Sequence, residues 1–330
     1  MPEIAIRSAA MHPLTAPSID EIRAARERLA GVTVRTPLLR LHAEGAPAEV
    51  WIKLENLQPI GSFKLRGATN AMRLAGPAGL RDGVYTASAG NMAQGVAWSA
   101  RELGVPAAVV VPDHAPATKL AAIERLGGRI VKVPFDRWWQ VIMEHSFPGL
   151  DGLFIHPVAD RAVMAGNGTV ALEILEDLPD VDTVLVPFGG GGLSCGIAAA
   201  LAALRPAARV FGCEVATAAP LAASLAAGSP QTVDYRPSFV DGIGGKSLLP
   251  EMWPLASGLL AGARVVSLET VAAAVRLLAE RHRVIAEGAG AASVAAALAG
   301  VPEARKVVCV ISGGNIDAAK LCAILDGRMP

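Results

Sequence analysis

The 330-residue chain carries 30 Lys and Arg against 30 Asp and Glu, a formal net charge of +0. No long-range field exists to attract nucleic acid or an anionic membrane, and neither is expected as a partner. Hydrophobic residues make up 52% and charged residues 18%, above and below the usual ~45–50% and ~25%, which excludes disorder and implies a large dry core.

Ser18-Ile19-Asp20-Glu21 has the spacing of a capping box and predicts a first helix to about Ala30. Short apolar runs follow at Val50–Leu54, Val84–Ala87, Ala107–Val111, Ile130–Val133, Thr183–Val186, Arg209–Cys213, Arg264–Val266 and Val307–Ile311. Between them, helical spacing of apolar residues marks Asn91–Leu103, Thr118–Leu126, Arg161–Leu178, Gly192–Leu204, Thr270–His282 and Glu287–Leu298. This alternation predicts an α/β fold of mainly parallel, helix-covered sheets. No linker or repeat breaks the pattern, so two domains would be interleaved.

A mean hydropathy of +0.41 and the absence of formal charge from Thr183 to Leu204 raise the question of a membrane span. Pro187 and four consecutive glycines interrupt that stretch, and a strand, a glycine turn and a helix explain it better. The start, MPEIAIRSAAMHPL, includes Glu3 and Arg7 and lacks the apolar core of a signal peptide. Cys195, Cys213, Cys309 and Cys322 show no metal spacing and read as reduced buried thiols of a cytoplasmic protein. The six histidines show no pairing or metal-ligand spacing, and His156, before Pro157, reads as structural. No metal is expected.

In open parallel sheets, chemistry sits in the loops after the strands. After Val184-Leu185-Val186-Pro187 come Phe188 and Gly189-Gly190-Gly191-Gly192-Leu193. Amides without side chains at a helix N-terminus suit a phosphate. Neither a Walker lysine nor a dinucleotide fingerprint accompanies them. Lys64 follows Gly61-Ser62-Phe63 where a strand hands over to a helix; desolvation there lowers an amine's pKa and prepares it for Schiff-base chemistry. Thr86-Ala87-Ser88-Ala89-Gly90-Asn91-Met92 offers hydroxyl, amide and free N–H groups suited to a carboxylate. Ser312-Gly313-Gly314-Asn315 and a buried-looking Glu287 before Gly288 complete the set. A phosphate cradle, an imine-forming lysine, a carboxylate nest and a polar group facing a ring are what pyridoxal 5'-phosphate (PLP) requires.

With GSFKLRGATN at Gly61–Asn70, TASAGNMAQGVA at Thr86–Ala97, GGGGL, AEGAGA and SGGN in this order, the chain resembles the serine/threonine dehydratases (threonine ammonia-lyases) of the fold-type-II PLP enzymes, over nearly its whole length. The resemblance implies a tryptophan-synthase-β-like fold, with a discontinuous PLP-binding domain (1–82 and 160–330) and a small mobile domain (83–159). It also implies a cytoplasmic homodimer. The implied activity is β-elimination from a β-hydroxy L-amino acid such as threonine or serine, giving a 2-oxo acid and ammonia. Lys64 would hold PLP and, once freed, remove the substrate's Cα proton. Phe63 would pack on the ring, and Gly189, Gly190, Gly191, Gly192 and Leu193 would bind the phosphate through N–H groups. Asn91 would touch the ring hydroxyl, Ser312 the ring nitrogen, and Glu287 would lie against the cofactor. Ser88, Ala89, Gly90, Asn91 and Met92 would hold the substrate carboxylate.

Departures from the family pattern bear on substrate. Met92 stands where His is usual, and Ala89 where serine racemases place a catalytic serine, which disfavours racemisation. Leu65-Arg66 replaces the Asp-Arg of β-replacement synthases, which disfavours that alternative. An intact Lys64 disfavours a non-catalytic PLP- or amino-acid-binding protein. In the racemase-like branch Glu214 and an aspartate six residues on hold a divalent cation, but here the second position is Pro220. Phe135-Asp136-Arg137-Trp138-Trp139 places two of the 5 tryptophans side by side. Phe135, Trp138 and Trp139 are expected to line a pocket for a side chain larger than threonine's, such as that of L-threo-phenylserine.

Overall fold

The computed structural model describes residues 14–330. The signal-peptide reading of residues 1–13 lies outside the described residues. Strands are β1 Leu38–Arg40, β2 Glu49–Lys53, β3 Val84–Ala87, β4 Ala107–Pro112, β5 Arg129–Val133, β6 Leu153–Phe154, β7 Thr183–Pro187, β8 Arg209–Val215, β9 Gly262–Val266 and β10 Lys306–Val310. The first six helices are α1 Ile19–Leu29, α2 Lys64–Gly79, α3 Asn91–Leu103, α4 Ala117–Arg125, α5 Phe135–Glu144 and α6 Arg161–Asp177. They are followed by α7 Gly192–Leu204, α8 Pro220–Ala227, α9 Trp253–Leu259, α10 Leu268–His282, α11 Gly288–Leu298 and α12 Ala318–Leu325.

The strands form two sheets, one ordered β1-β2-β10-β7-β8-β9 and the other β5-β4-β3-β6. Every pairing is parallel except β1 with β2. The apolar runs are continuous because both sheet faces are buried. On β10, Val308 and Val310 enter one core while Val307 and Cys309 enter the other, the two-residue alternation of a strand covered on both sides. Helix α11 packs on β7, β8 and β9, whereas α7 packs on β7, β8 and α6.

The eight predicted strands are all present within two residues at each end, but β1 and β6 were not expected. With three half-exposed or exposed residues and two half-buried ones, neither carries a periodic signal. The capping box forms as expected: Ser18 Oγ accepts from the Glu21 N–H and Glu21 accepts from the Ser18 N–H. The charge-free stretch becomes β7, a loop and α7. No helix among the described residues is long and apolar enough to cross a membrane. Of the four free cysteines three are buried, but Cys322 is exposed, correcting the expectation for that residue.

Candidate active site

All strands of each sheet that lead into the glycine, serine and aromatic loops do so at their carboxyl ends, which converge on a cavity of about 370 Å³. Its wall contains Phe63, Lys64, Ser88, Ala89, Gly90, Asn91 and Met92, then Gly189 to Leu193, Glu287 and Ser312, so motifs spread over some 250 positions meet. Phe135 and Trp138 also line it. Trp139 does not: it lies on the exposed side of α5, beside Trp138 but off the wall. Consecutive residues of a helix diverge by about 100°, so the two indoles do not both face the cavity.

The loop after β2 is held to the loop after β10 by backbone bonds. Phe63 N–H donates to Ser312 O (3.0 Å) and Gly314 N–H to Gly61 O (2.9 Å). Gly61 has φ +71°, which favours glycine, and an added Cβ would meet Asn315 Oδ1 at 2.6 Å. Lys64 then opens α2, with its ammonium 5.2 Å from the Phe63 ring centroid. Its Nζ donates to Pro157 O at 2.7 Å. No carboxylate lies within ion-pair distance of it among the described residues. Desolvation therefore prevails over the field of Glu287 and lowers its pKa to about 8.

The loop after β7 fits the phosphate reading closely. Gly191 caps α7 at φ +102°. An added Cβ at Gly190 would come within 2.8 Å of the Val158 side chain, and one at Gly192 within 2.9 Å of Val158 O. Backbone packed this tightly leaves no room for side chains, while the first N–H groups of α7 have no acceptor within the helix. Behind it, Asn167 Nδ2 donates to Gly192 O at 3.2 Å. Cys195, one turn into α7, is buried and its thiol is pushed up to about 12, so it is no nucleophile.

Across the cavity, Glu287 precedes α11 and accepts from Asn91 Nδ2 at 2.9 Å. Asn315 Nδ2 in turn donates to Asn91 Oδ1 (2.8 Å) and to Ile60 O (2.9 Å). Burial pushes the Glu287 carboxyl up to about 7, against the hydrogen bond from Asn91. Met92 is buried and lines the wall from the first turn of α3. His114, Lys119, Pro157, Val158 and Asp241 also line the cavity, and none was marked beforehand. Asp241 sits in an Asp-Gly-Ile-Gly-Gly run that carried a usable turn signal; the others are placed only by folding.

Glu214 holds no ion-binding arrangement with position 220. It accepts from the N–H groups of Leu221 (2.8 Å) and Ala222 (2.9 Å), so it caps α8. The histidines do pair, contrary to expectation. His145 packs on His156 in a tilted arrangement at 4.5 Å between centroids, and Glu251 lies 3.2 Å from His145 Nε2. His42 stacks on His282.

The residues present fit PLP: a side-chain-free N–H cradle for a phosphate and an amine of lowered pKa in one cavity. The sequence matches, over residues 29–313, the family model described as "Pyridoxal-phosphate dependent enzyme". The chain belongs to the family of pyridoxal-phosphate dependent enzymes. It is 37% identical over 314 residues to the L-threonine ammonia-lyase of Thermotoga maritima, covering 94% of this chain and 78% of that protein. It is 38% identical over 315 residues to the catabolic L-threonine dehydratase TdcB of Escherichia coli, covering 93% and 95%. The maize serine racemase structure superimposes with a TM-score of 0.88 at 32% identity, covering 95% and 98%. The fold is therefore that of the fold-type-II PLP enzymes.

Proposed function

We propose that the chain is a PLP-dependent ammonia-lyase that dehydrates and deaminates threonine or serine to a 2-oxo acid and ammonia. The observation that carries this reading is the half-buried Lys64, without a carboxylate partner among the described residues, in one cavity with the Gly189–Gly192 cradle. PLP, when bound, supplies an aldehyde for amines and an electron sink for the Cα–H bond that breaks. Lys64 would be the amine that holds it and the base for the Cα proton; a pKa near 8 keeps a useful fraction neutral near pH 7. The N–H groups of Gly189, Gly190, Gly191, Gly192 and Leu193 would hold the phosphate. Phe63 and Ser312 would contact the ring, Ser312 through a neutral hydroxyl, and Asn91, fixed by Glu287 and Asn315, would hold the ring hydroxyl.

Ser88, Ala89, Gly90, Asn91 and Met92 receive the substrate carboxylate at the N-terminus of α3, where the helix dipole favours an anion. Ala89 offers no proton-carrying group, which supports elimination over the racemisation performed by the maize relative. The four strands of the second sheet all fall between Val84 and Phe154, which supports residues 83–159 as a small mobile domain closing on a larger one built from 1–82 and 160–330. A cytoplasmic homodimer follows from the family reading.

A second reading is the same chemistry on a bulkier substrate. Phe135 and Trp138 stand 5.6 Å apart in the cavity wall, and the Trp138 indole N–H is buried without a partner among the described residues. Steady-state rates of ammonia release from L-serine, L-threonine and L-threo-phenylserine, without added thiol, separate the readings. A preference for serine or threonine supports the first and a preference for phenylserine the second. Protein that stays colourless with PLP and releases no ammonia defeats both.

A further inference from the structure

The turn between β6 and α6 is where the geometry points beyond the residues already assigned. His156, His145 and Glu251 bring ligand atoms within 4.8 Å of one another, the spacing of a metal site. The hydrogen bonds around His156 argue against one. Its Nδ1 accepts from the Val158 N–H at 3.0 Å and from the Ala159 N–H at 2.6 Å. That nitrogen therefore carries the lone pair, and Nε2 carries the proton. Nε2–H donates to Ile142 O at 3.2 Å, in the last turn of α5. Both ring nitrogens are occupied, and no lone pair remains for a metal.

The same three bonds connect parts of the site that are distant in sequence. Between His156 and the two amides it gathers stands Pro157, whose carbonyl receives Lys64 Nζ at 2.7 Å. Val158, whose amide His156 holds, is the residue packed against Gly190 and Gly192. Ile142 belongs to the helix that carries Phe135 and Trp138 to the cavity wall.

We propose that His156 is a positioning residue that acts through the 157–159 turn: as a neutral imidazole of fixed tautomer, it aims the Pro157 carbonyl at Lys64 and locks α5 to that turn. His156 itself does not line the cavity. Burial and the neighbouring His145 drive its pKa down to about 3, so the imidazole stays neutral across the working pH range. Lys64 is faced by Glu287 from the start of α11 and by His156 from the turn, and behind His156 stand His145 and Glu251. The inference rests on the assignment of Lys64 as the cofactor-holding lysine.

The test follows the ionisation of Lys64 in the full-length, cofactor-stripped chain. Acetic anhydride labelling at a series of pH values is read by mass spectrometry of the Lys64 peptide, with exposed Lys246 as internal reference. The wild-type midpoint is expected near 8. In His156→Leu the carbonyl is no longer aimed, the ammonium loses its acceptor, and the midpoint is expected to fall by about one unit. His156→Asn places Oδ1 where Nδ1 accepted the two amides and is expected to hold the wild-type midpoint. His156→Gln, whose amide lies one methylene beyond that position, should move as His156→Leu does. Should the Leu variant fail to fold by circular dichroism, the Asn and Gln pair decides alone. Coincident Leu and wild-type midpoints, or an Asn variant shifted as far as Gln, overturn the proposal. Borohydride reduction with PLP, followed by a search for the adduct on Lys64, separately tests the functional reading and leaves the labelling result standing.

Discussion

Two lysines eleven positions apart on either side of one turn, Lys53 buried and Lys64 half-buried, are treated in opposite ways. Lys53, at the end of β2, pairs with Glu173 and donates to Thr36 O. Beside it, Arg66 reaches Glu55 at 2.8 Å and Glu173 at 2.7 Å, so two cations and two carboxylates close a charge-balanced group beneath the site. Lys64 has one carbonyl acceptor and no such partner among the described residues, and desolvation lowers its pKa. Neutralised buried charge holds backbone in register; buried charge left without a counter-ion is chemically available. The Arg66 cluster grips α2 two residues past Lys64, and the balanced group thereby helps fix where the unbalanced one sits.

The sharpest way to break this comparison is Lys64→Ala. It should abolish the borohydride-trapped PLP adduct and lower ammonia release by about a thousandfold or more, while circular dichroism stays that of the wild type. A retained adduct would place the chemistry on another lysine. Arg66→Met should act on the other half of the comparison, leaving Glu55 and Glu173 to face Lys53 alone. A loss of about 3–5 kcal/mol in urea denaturation is expected, with molecules that do fold still forming the Lys64 adduct. An unchanged midpoint would remove the structural role given to the balanced group.

The smallest expected effect is at Glu287, whose carboxyl is pushed up to about 7 from its ordinary value of 4.5 by burial. The fold favours its protonated form, so its stabilising contribution is complete below the unfolded value and is lost as pH rises to about 7. Glu287→Gln, which stays neutral, should gain stability relative to wild type between those pH values, by up to about 3 kcal/mol, and no further above them. Denaturation series at closely spaced pH values would show this, and a constant offset would contradict the buried-acid assignment.

Much of this site was legible before folding. The Gly189–Gly192 loop, the Gly-Ser-Phe-Lys turn and the Ser-Gly-Gly-Asn run are local signals, because glycine, a helix start and an apolar strand express themselves within a few residues. Helix α5 was not legible. Its Trp138 and Trp139 were expected to act together, yet a helix lasting ten residues sends one to the cavity and the other to solvent. The histidines were set aside for lack of spacing, although β6 and the end of α5 bring His145 against His156.

By itself the sequence determined the α/β alternation, the phosphate loop and the presence of a lysine where a strand yields to a helix. Each depends on neighbours along the chain. Only the tertiary structure decided which of Lys53 and Lys64 would lack a counter-ion among the described residues. The partners concerned, Glu173 for Lys53 and Pro157 for Lys64, lie 120 and 93 positions away, and an amine's pKa is set by the charges and solvent within a few ångströms, wherever in the chain they originate.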